Sequence, residues 1–470
     1  MQKRALIVGL GIAGMATAIG LRRAGWAPVI IERAPERRTG GYFIGLLPDG
    51  RQAADDLGIA DYLHTRTPDS GTVWSLNRDG TRKPGLGFLD LPGRPSAVLR
   101  GDIEAALWHG ITEPAPGESD IEVRYGTTPM EIVEGCDRVE VRLNDAATST
   151  PYNESFDLVI GADGLRSSVR QMVFGPHGRF MTNWNAMICA FQLPEQVPGF
   201  APQDSIISAR SKRAAWVFAL ADRAPTALLT YCTKDVDAEF TDEPVERLRT
   251  VYQGMDDPVV RYVLDSLPQA TDYLFDSVHQ VRMPRWSQGR VMLLGDAAWC
   301  LNLYSGMGAS ASLRGGAELG RALRENPDDI NTAMGIWEAR LRPFITKHQR
   351  TARLKQQMLV PTNRCFAAFR SVVVGPAARV RHRAVARKGH PTGYLTESGG
   401  TDRRTQADGR SARMGEEQVR LPSPGVTSGP AAGGIRKTGE EMRHKVSGFG
   451  VKMVSPVRVD GGRGPGTTDR

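Results

Sequence analysis

The hydrophobic pattern of the first 32 residues predicts two strands joined by a helix. Residues 5–8 are an unbroken apolar run, a glycine-rich turn follows, and small and apolar residues continue through residues 15–24 up to Gly25. A second apolar run covers residues 29–31 and ends at Glu32. Because unbroken apolar strands suit a sheet that is covered on both faces, we expect a βαβ unit of a parallel sheet.

Two later segments repeat the apolar strand and predict further strands of the same sheet. Residues 158–160 run into a Gly-Ala-Asp turn and residues 291–294 into a Gly-Asp-Ala turn, each followed by helical sequence. Between about 180 and 280, stretches rich in aromatic and β-branched residues, such as 214–220 and 227–232, favour a separate sheet. A long helical pattern covers about 331–350.

The charge of the chain is concentrated at its C-terminal end. The formal net charge is +8, and residues 376–470 alone hold 18 Lys and Arg against 9 Asp and Glu. The same segment has 17 of the 52 glycines and no Trp, so it cannot bury enough apolar surface to offset its ordering entropy. We therefore expect a disordered, solvated basic tail rather than a segment that binds nucleic acid or an anionic membrane.

Cysteine usage and the N-terminal sequence predict a cytoplasmic protein. The five cysteines are scattered without a C-x-x-C pair, which argues against a disulfide framework or a metal site. The first apolar strand begins within five residues, without a signal-peptide pattern, and no stretch reaches the ~18 apolar residues of a membrane span. His64, His109 and His279 are scattered, so we assign none of them a catalytic or metal-binding role.

The first turn has the form of a dinucleotide-binding fingerprint. Gly9, Gly11 and Gly14 follow a strand and open a helix, and Glu32 ends the next strand. The first glycine permits the tight turn, the second lets the backbone approach a pyrophosphate, and the third lets the helix pack on the strand. We expect Glu32 to bind an adenosine ribose, and we place Ala13 at the cofactor with the glycines.

Two further turns decide whether the fingerprint binds FAD or NAD. Asp163 lies in a segment that resembles the Asp-Gly motif associated with FAD and NAD(P)H in group A, or para-hydroxybenzoate-hydroxylase-like, FAD-dependent monooxygenases. The second segment resembles their Gly-Asp motif, whose aspartate contacts the FAD ribityl chain, and it contains Asp296, Gly306, Met307 and Gly308. The resemblance covers residues 1–360, and the chain also looks similar to the tetracycline-inactivating members.

The resemblance implies an α/β fold with a Rossmann-like FAD-binding domain and an inserted, mainly antiparallel β-sheet domain for the substrate. The expected division is residues 1–178 and 285–375 for the FAD-binding domain, 179–284 for the substrate domain and 376–470 for the tail. It also implies Arg33 and Arg100 as FAD contacts. NAD(P)H visits such enzymes transiently, and reduced FAD then captures O2 as a C4a-hydroperoxide that hydroxylates a small organic substrate.

Two residues depart from the pattern of that family. Trp299 stands where relatives usually carry His or Tyr, and Leu303 where they usually carry Pro, which would fix φ. A non-catalytic or sensor flavoprotein therefore stays open as an alternative, as does another FAD oxidoreductase on the same fold. A flavin-dependent halogenase would need a W-x-W-x-I-P segment, which the sequence lacks.

For a substrate pocket we select aromatic residues of the middle sheet and of the glycine-flanked segment 40–45. The expected contacts of a small, aromatic or polyketide-like substrate are Tyr42, Phe43, Phe191, Trp216, Phe218, Tyr231 and Leu303. The amides of the helix that follows Gly308 are expected to stabilise negative charge on reduced flavin. The protein is expected to be a monomer or homodimer, without a metal, a nucleic-acid partner or a stable membrane association.

We predict that the purified protein is yellow and releases FAD, not FMN, on denaturation. The reason is that the fingerprint and Glu32 are suited to an adenosine diphosphate group, which FMN lacks. Chromatography of the released flavin distinguishes the two. A colourless protein that does not respond to added FAD would contradict the prediction.

Overall fold

The computed structural model of the chain describes residues 2–37, 40–87, 90 and 93–363. The predicted basic tail, residues 376–470, lies outside the described residues, as does Cys365. Within the ranges that are described, no helix is both long and apolar enough to cross a membrane.

The described part of the chain contains eighteen strands and eight α-helices. The strands are β1 (Arg4–Val8), β2 (Ala27–Ile31), β3 (Phe43–Leu46), β4 (Val73–Leu76), β5 (Arg82–Pro84), β6 (Ser96–Leu99), β7 (Glu122–Arg124), β8 (Thr127–Glu134), β9 (Val139–Asp145), β10 (Pro151–Phe156), β11 (Leu158–Gly161), β12 (Met181–Gln192), β13 (Ser205–Arg210), β14 (Arg213–Phe218), β15 (Thr226–Cys232), β16 (Tyr273–Val281), β17 (Ser287–Gln288) and β18 (Val291–Leu293). The helices are α1 (Ile12–Arg23), α2 (Pro48–Asp56), α3 (Arg100–Thr112), α4 (Pro244–Tyr252), α5 (Pro258–Ser266), α6 (Asp296–Trp299), α7 (Gly308–Glu325) and α8 (Ile330–Leu359).

Six strands form the predicted parallel sheet, in the order β17-β18-β11-β1-β2-β7. Strand β1 pairs in parallel with β2 and β11, and β11 pairs in parallel with β18, while the short edge strand β17 is antiparallel. The strands β1, β11 and β18 are almost completely buried, which explains their unbroken apolar sequences. The predicted α/β class with a Rossmann-like parallel sheet is confirmed.

Helix α1 begins three residues earlier than the apolar pattern predicts, at Ile12 instead of Met15. The Met15 amide donates to the Gly11 carbonyl at 3.0 Å, so the helical hydrogen bonds start directly at the fingerprint turn. Gly25, with φ of +80°, follows the end of the helix as expected from its place in the sequence. The N-terminus of α1 therefore opens at the carboxyl end of β1.

Seven strands form a second, mainly antiparallel sheet in the order β16-β12-β15-β14-β13-β4-β5. Its two faces have different partners. One face packs on α4 and α5 through a cluster that includes Phe191, Tyr231 and Val260. The other face carries Ile188, Phe218 and Leu228 and packs with Tyr304 and Leu359 of the C-terminal part. This second face borders the candidate site described below.

The predicted middle sheet is thus present, but it also includes strands from much earlier in the chain. Strands β4 and β5 join its edge, where β4 pairs in parallel with β13. Two smaller sheets, β10-β9-β8 and β3-β6, lie between the first helix and β11 in sequence. The predicted long helix is α8, which extends beyond residue 350 to Leu359.

Helices α1 and α7 cross with their backbones in contact. A Cβ on Gly316 would lie 2.5 Å from the Ala16 carbonyl carbon and 2.6 Å from the Thr17 nitrogen. Gly20 and Gly320 face each other in the same crossing, and a Cβ on either would overlap the backbone of the opposite helix. Only glycine therefore permits this separation of the two helices.

We predict that Gly316→Ala destabilises the protein by roughly 1–3 kcal/mol, because the new methyl group forces the two backbones apart. The matched control is Gly335→Ala on the exposed surface of α8, where a Cβ meets no atom within 4 Å. Alanine there is expected to be neutral or to stabilise by up to about 1 kcal/mol through helix propensity. Urea unfolding measures both, and equal midpoints for the two variants would contradict the close crossing.

Candidate functional site

The fingerprint turn packs tightly against the turn that follows β11. Gly9 has φ of +109°, and a Cβ there would lie 2.7 Å from the Ala162 carbonyl oxygen. A Cβ on Gly14 would overlap the Gly9 carbonyl oxygen, which is the close helix-to-strand approach expected of the third glycine. The nearest atom to a Cβ on Gly11 is Arg100 Nη2 at 3.9 Å, so this backbone faces open space.

Glu32 holds the end of β2 to the fingerprint turn. Its Oε2 accepts from the Leu10 amide at 3.0 Å and its Oε1 from the Ala34 amide at 2.9 Å. The carboxylate lines a cavity of about 280 Å³ together with Gly9, Gly11, Arg33 and Asp163. With Arg100, which also lines this cavity, six residues that the sequence predicts at the cofactor border one groove.

Asp163 organises the turn after β11. Its Oδ2 accepts from the Ser168 amide at 2.6 Å, from the Ser168 hydroxyl at 2.8 Å and from the Val169 amide at 3.2 Å. Its Oδ1 is buried without a partner among the described residues. The buried Arg170 donates to the carbonyls of Leu165 at 2.6 Å and Ala297 at 2.8 Å, and so joins this turn to the Asp296 turn.

Asp296 lies at the first position of α6, directly after the buried strand β18. A Cβ on Gly295 would lie 2.6 Å from Ala13 Cβ, so Ala13 supports the turn by packing beneath it. Desolvation raises the pKa of Asp296, while the neighbouring Cys300 thiol and the charge of Arg100 oppose the rise. A half-buried carboxylate with so few donors has room for hydroxyl groups of a ligand.

A second cavity of about 390 Å³ begins at Asp296 and extends to the second sheet. Gly306 and Gly308 line it at the start of α7, and a Cβ on Gly308 would meet no atom within 4 Å. The first amides of α7 therefore lie at the cavity, where the positive end of the helix dipole favours negative charge. Met307, predicted at the cofactor, is instead buried in the core and does not line the cavity.

The two cavities adjoin each other. Gly11, Arg100, Ala162 and Gly164 line both of them. Arg100 is the first residue of α3, and its Nη2 pairs with Glu104 Oε1 at 2.7 Å. The result is a long groove that is polar near Glu32 and apolar near the second sheet, a shape and polarity that fit FAD.

Of the residues predicted at the substrate, four line the apolar cavity. They are Tyr42, Phe43, Phe218 and Leu303. The rings of Phe43 and Phe218 are stacked, with centroids 4.2 Å apart and planes 5° apart. Trp216 lies on the same sheet face but packs beside the cavity, where its Nε1 donates to the Leu359 carbonyl at 3.2 Å.

Phe191 and Tyr231, which the sequence analysis also places at the substrate, do not lie at the cavity. Both point to the opposite sheet face, towards α4 and α5, and the Tyr231 hydroxyl donates to Glu239 Oε2 at 2.7 Å. The correction follows from strand geometry, because neighbouring residues of a strand alternate between faces. The cavity-facing residues of the same strands are Ile188 on β12 and Leu228 on β15.

Several cavity residues were not predicted. Cys300, Asn302 and Tyr304 follow Asp296 and line the cavity, as do Leu274, Asp276 and His279 of β16. Burial lowers the pKa of His279, and its Nδ1 lies 3.2 Å from the Ser277 hydroxyl. The three residues of β16 have no signal in the sequence beyond the position of this strand shortly before the Gly-Asp motif, whereas Cys300, Asn302 and Tyr304 lie within that motif. His64 and His109 do not line either cavity.

The two residues that depart from the family pattern, Trp299 and Leu303, have different surroundings. Trp299 is buried and packs against the rings of Trp286 and Trp337, at centroid distances of 4.6 and 5.8 Å. Leu303 lines the cavity, and the preceding Asn302 has φ of +60°. Trp299 therefore belongs to the core, whereas the loss of proline at position 303 changes the cavity wall.

Comparisons with known proteins identify the family of the chain. Residues 2–327 match the family described as FAD binding domain. The flavin-dependent monooxygenase of Legionella longbeachae is 27% identical over 353 residues, which cover 73% of this chain and 86% of that protein. An uncharacterised protein of Mycobacterium tuberculosis is 28% identical over 368 residues, which cover 74% and 92%.

The crystal structure of the tetracycline destructase Tet(51) shares the fold. It superposes with a TM-score of 0.63 at 23% identity and covers 84% of this chain and 100% of that chain. The matched residues 2–327 contain all three motifs that border the groove. The chain therefore belongs to the FAD binding domain family, its cofactor is FAD, and its resemblance to FAD-dependent monooxygenases is confirmed.

Proposed function

We propose that the protein uses NAD(P)H and O2 to hydroxylate a small aromatic or polyketide-like compound. The observation that carries the proposal is the continuity of the two cavities, which joins a dinucleotide groove to an apolar chamber. Membership in a family of FAD-dependent monooxygenases supports the same reaction class. The names of relatives, including a tetracycline destructase, support the substrate class.

We assign the groove residues to successive parts of FAD. Glu32 binds the adenosine ribose, and the α1 N-terminus at Gly11 binds the pyrophosphate. Arg33 and Arg100 add positive charge beside that groove, and Asp163 shapes its wall. The remaining contacts are assigned to the ribityl chain and the ring, and they are Asp296, Gly306 and Gly308.

Bound FAD supplies electron transfer from NAD(P)H and activation of O2, and the protein supplies binding, orientation and exclusion of water. The stacked rings of Phe43 and Phe218, with Leu228 and Leu303, form apolar walls of the cavity that Gly308 of α7 also lines. Such walls keep water from the reacting atoms and hold a planar substrate by dispersion. The amides of α7 stabilise negative charge on the reduced ring.

Transient binding of NAD(P)H is consistent with the fold. The described residues contain one fingerprint, at β1 and α1, and FAD occupies it in this assignment. Arg33 and Arg37 line the rim of this groove and provide positive charge for a visiting phosphate-bearing reductant beside bound FAD.

We predict that Asp296→Ala weakens FAD binding by one to two decades. The variant removes a charge-assisted hydrogen bond, worth about 1.5–3 kcal/mol, from the proposed ribityl contact. Fluorescence quenching during reconstitution of the apoprotein with FAD measures the dissociation constant. Asp265→Ala, on the exposed side of α5, is the matched control and should bind FAD as the unchanged protein does. Unaltered affinity in Asp296→Ala would remove this residue from the cofactor site.

We also predict that planar phenolic or polyketide-like compounds accelerate NAD(P)H oxidation by the FAD-loaded protein. Productive binding in the apolar cavity places the compound beside the reducible ring, so O2 consumption should rise and a product one oxygen atom heavier should form. Oxygen electrode traces and mass spectrometry measure both. NAD(P)H oxidation that yields only H2O2 with every compound would contradict a hydroxylase and favour a different flavoprotein function.

A further inference from the structure

Tyr42 has a phenol hydroxyl that forms no hydrogen bond within the described part of the chain. The residue lines the apolar cavity, and its hydroxyl oxygen keeps some accessible surface. The hydroxyl is therefore accessible and has no protein partner among the described residues, on a residue that lines the cavity. An accessible polar group without a protein partner is suited to a ligand atom, because ligand cavities use a few such groups to orient the ligand.

The backbone of Tyr42 is fixed on the N-terminus of α3. The Arg100 amide donates to the Tyr42 carbonyl at 3.0 Å. A Cβ on Gly41 would lie 2.9 Å from Arg100 Cβ, and a Cβ on Gly101 would lie 2.6 Å from the Gly40 carbonyl oxygen. The glycines thus let segment 40–42 lie directly on α3, which sets where the Tyr42 side chain begins.

The charges that act on the hydroxyl belong mainly to the cofactor groove. Burial raises the pKa of Tyr42, Arg100 lowers it, and the carboxylates of Asp296, Glu104 and Asp276 raise it further. Arg100, Glu104 and Asp296 all line the groove assigned to FAD. The net result is a neutral phenol, which keeps its proton and is able to donate.

The other cavity aromatics have different surroundings. Phe43 and Phe218 stack on each other against the second sheet. Tyr304 has a hydroxyl that is already paired with the Thr230 hydroxyl at 2.9 Å. Tyr42 therefore combines three properties. Its hydroxyl has no protein partner among the described residues, its backbone is fixed on α3, and the charged residues near it line the cofactor groove.

We propose that Tyr42 is a cofactor-binding residue whose hydroxyl donates a hydrogen bond to an oxygen atom of bound FAD, where the ribityl chain meets the flavin ring. This reassigns Tyr42 from the substrate contacts expected from the sequence to the cofactor contacts. The inference rests on the proposed placement of FAD along the groove. It adds a specific polar contact in the apolar cavity, beyond those of the three sequence motifs.

The test compares the affinity of Tyr42→Phe for FAD and for ADP. Phenylalanine keeps the ring and removes only the hydroxyl, so an oxygen of FAD loses its donor in a desolvated groove. The FAD dissociation constant is expected to rise about tenfold, the effect of losing one such bond. ADP, which reaches only the fingerprint end, should bind equally well to both proteins. Tyr62→Phe, on the exposed surface, is the matched control and should change neither affinity.

The outcomes separate this inference from the proposed function. Unchanged FAD affinity and an unchanged visible flavin spectrum in Tyr42→Phe overturn it. A raised KM for 1-naphthol with unchanged FAD affinity also overturns it and returns Tyr42 to the substrate site. Equal losses of FAD and ADP affinity indicate a structural role and overturn it as well. An unaltered protein that binds ADP but not FAD contradicts the proposed function itself.

Discussion

The backbone contact between α1 and α7 determines how the site is built. Gly20, Gly316 and Gly320 let two helices from distant parts of the chain approach more closely than any side chain permits. Their N-termini, at Ile12 and Gly308, consequently open on the same side of the parallel sheet. An elongated, negatively charged cofactor thereby meets a positive helix end at each of two points.

The parallel sheet adds the remaining polar groups to this frame. Glu32, Asp163 and Asp296 each follow a strand of one sheet, so its carboxyl edge collects three carboxylates from widely separated segments. Arg170 then joins two of the turns through the Leu165 and Ala297 carbonyls, and Arg100 of α3 lines the groove. The second sheet contributes apolar side chains instead, which explains why the groove changes from polar to apolar along its length.

Much of the fold and the cofactor groove could be predicted from the sequence, because these parts depend on local patterns. The three motifs encode turns whose geometry is set within a few residues, and each lies after its predicted strand. The predictions failed where the structure depends on contacts between residues that are far apart in the sequence. Phe191 and Tyr231 share strands with true cavity residues, and only the packing of α4 and α5 decides which face is which. The pairing of β4 with β13, whose partner residues Val73 and Ser205 are 132 positions apart, leaves no local signal either.

The central claim is that FAD lies along the groove from Glu32 to Gly308. Electron density for the flavin in a crystal structure of the FAD-loaded protein tests it most directly. The account predicts adenosine at Glu32, the pyrophosphate at Gly11 and the flavin ring between the α7 N-terminus and the face that carries Phe218. Flavin density outside this groove, or in the reverse orientation with the adenine beside Phe218, would contradict the account.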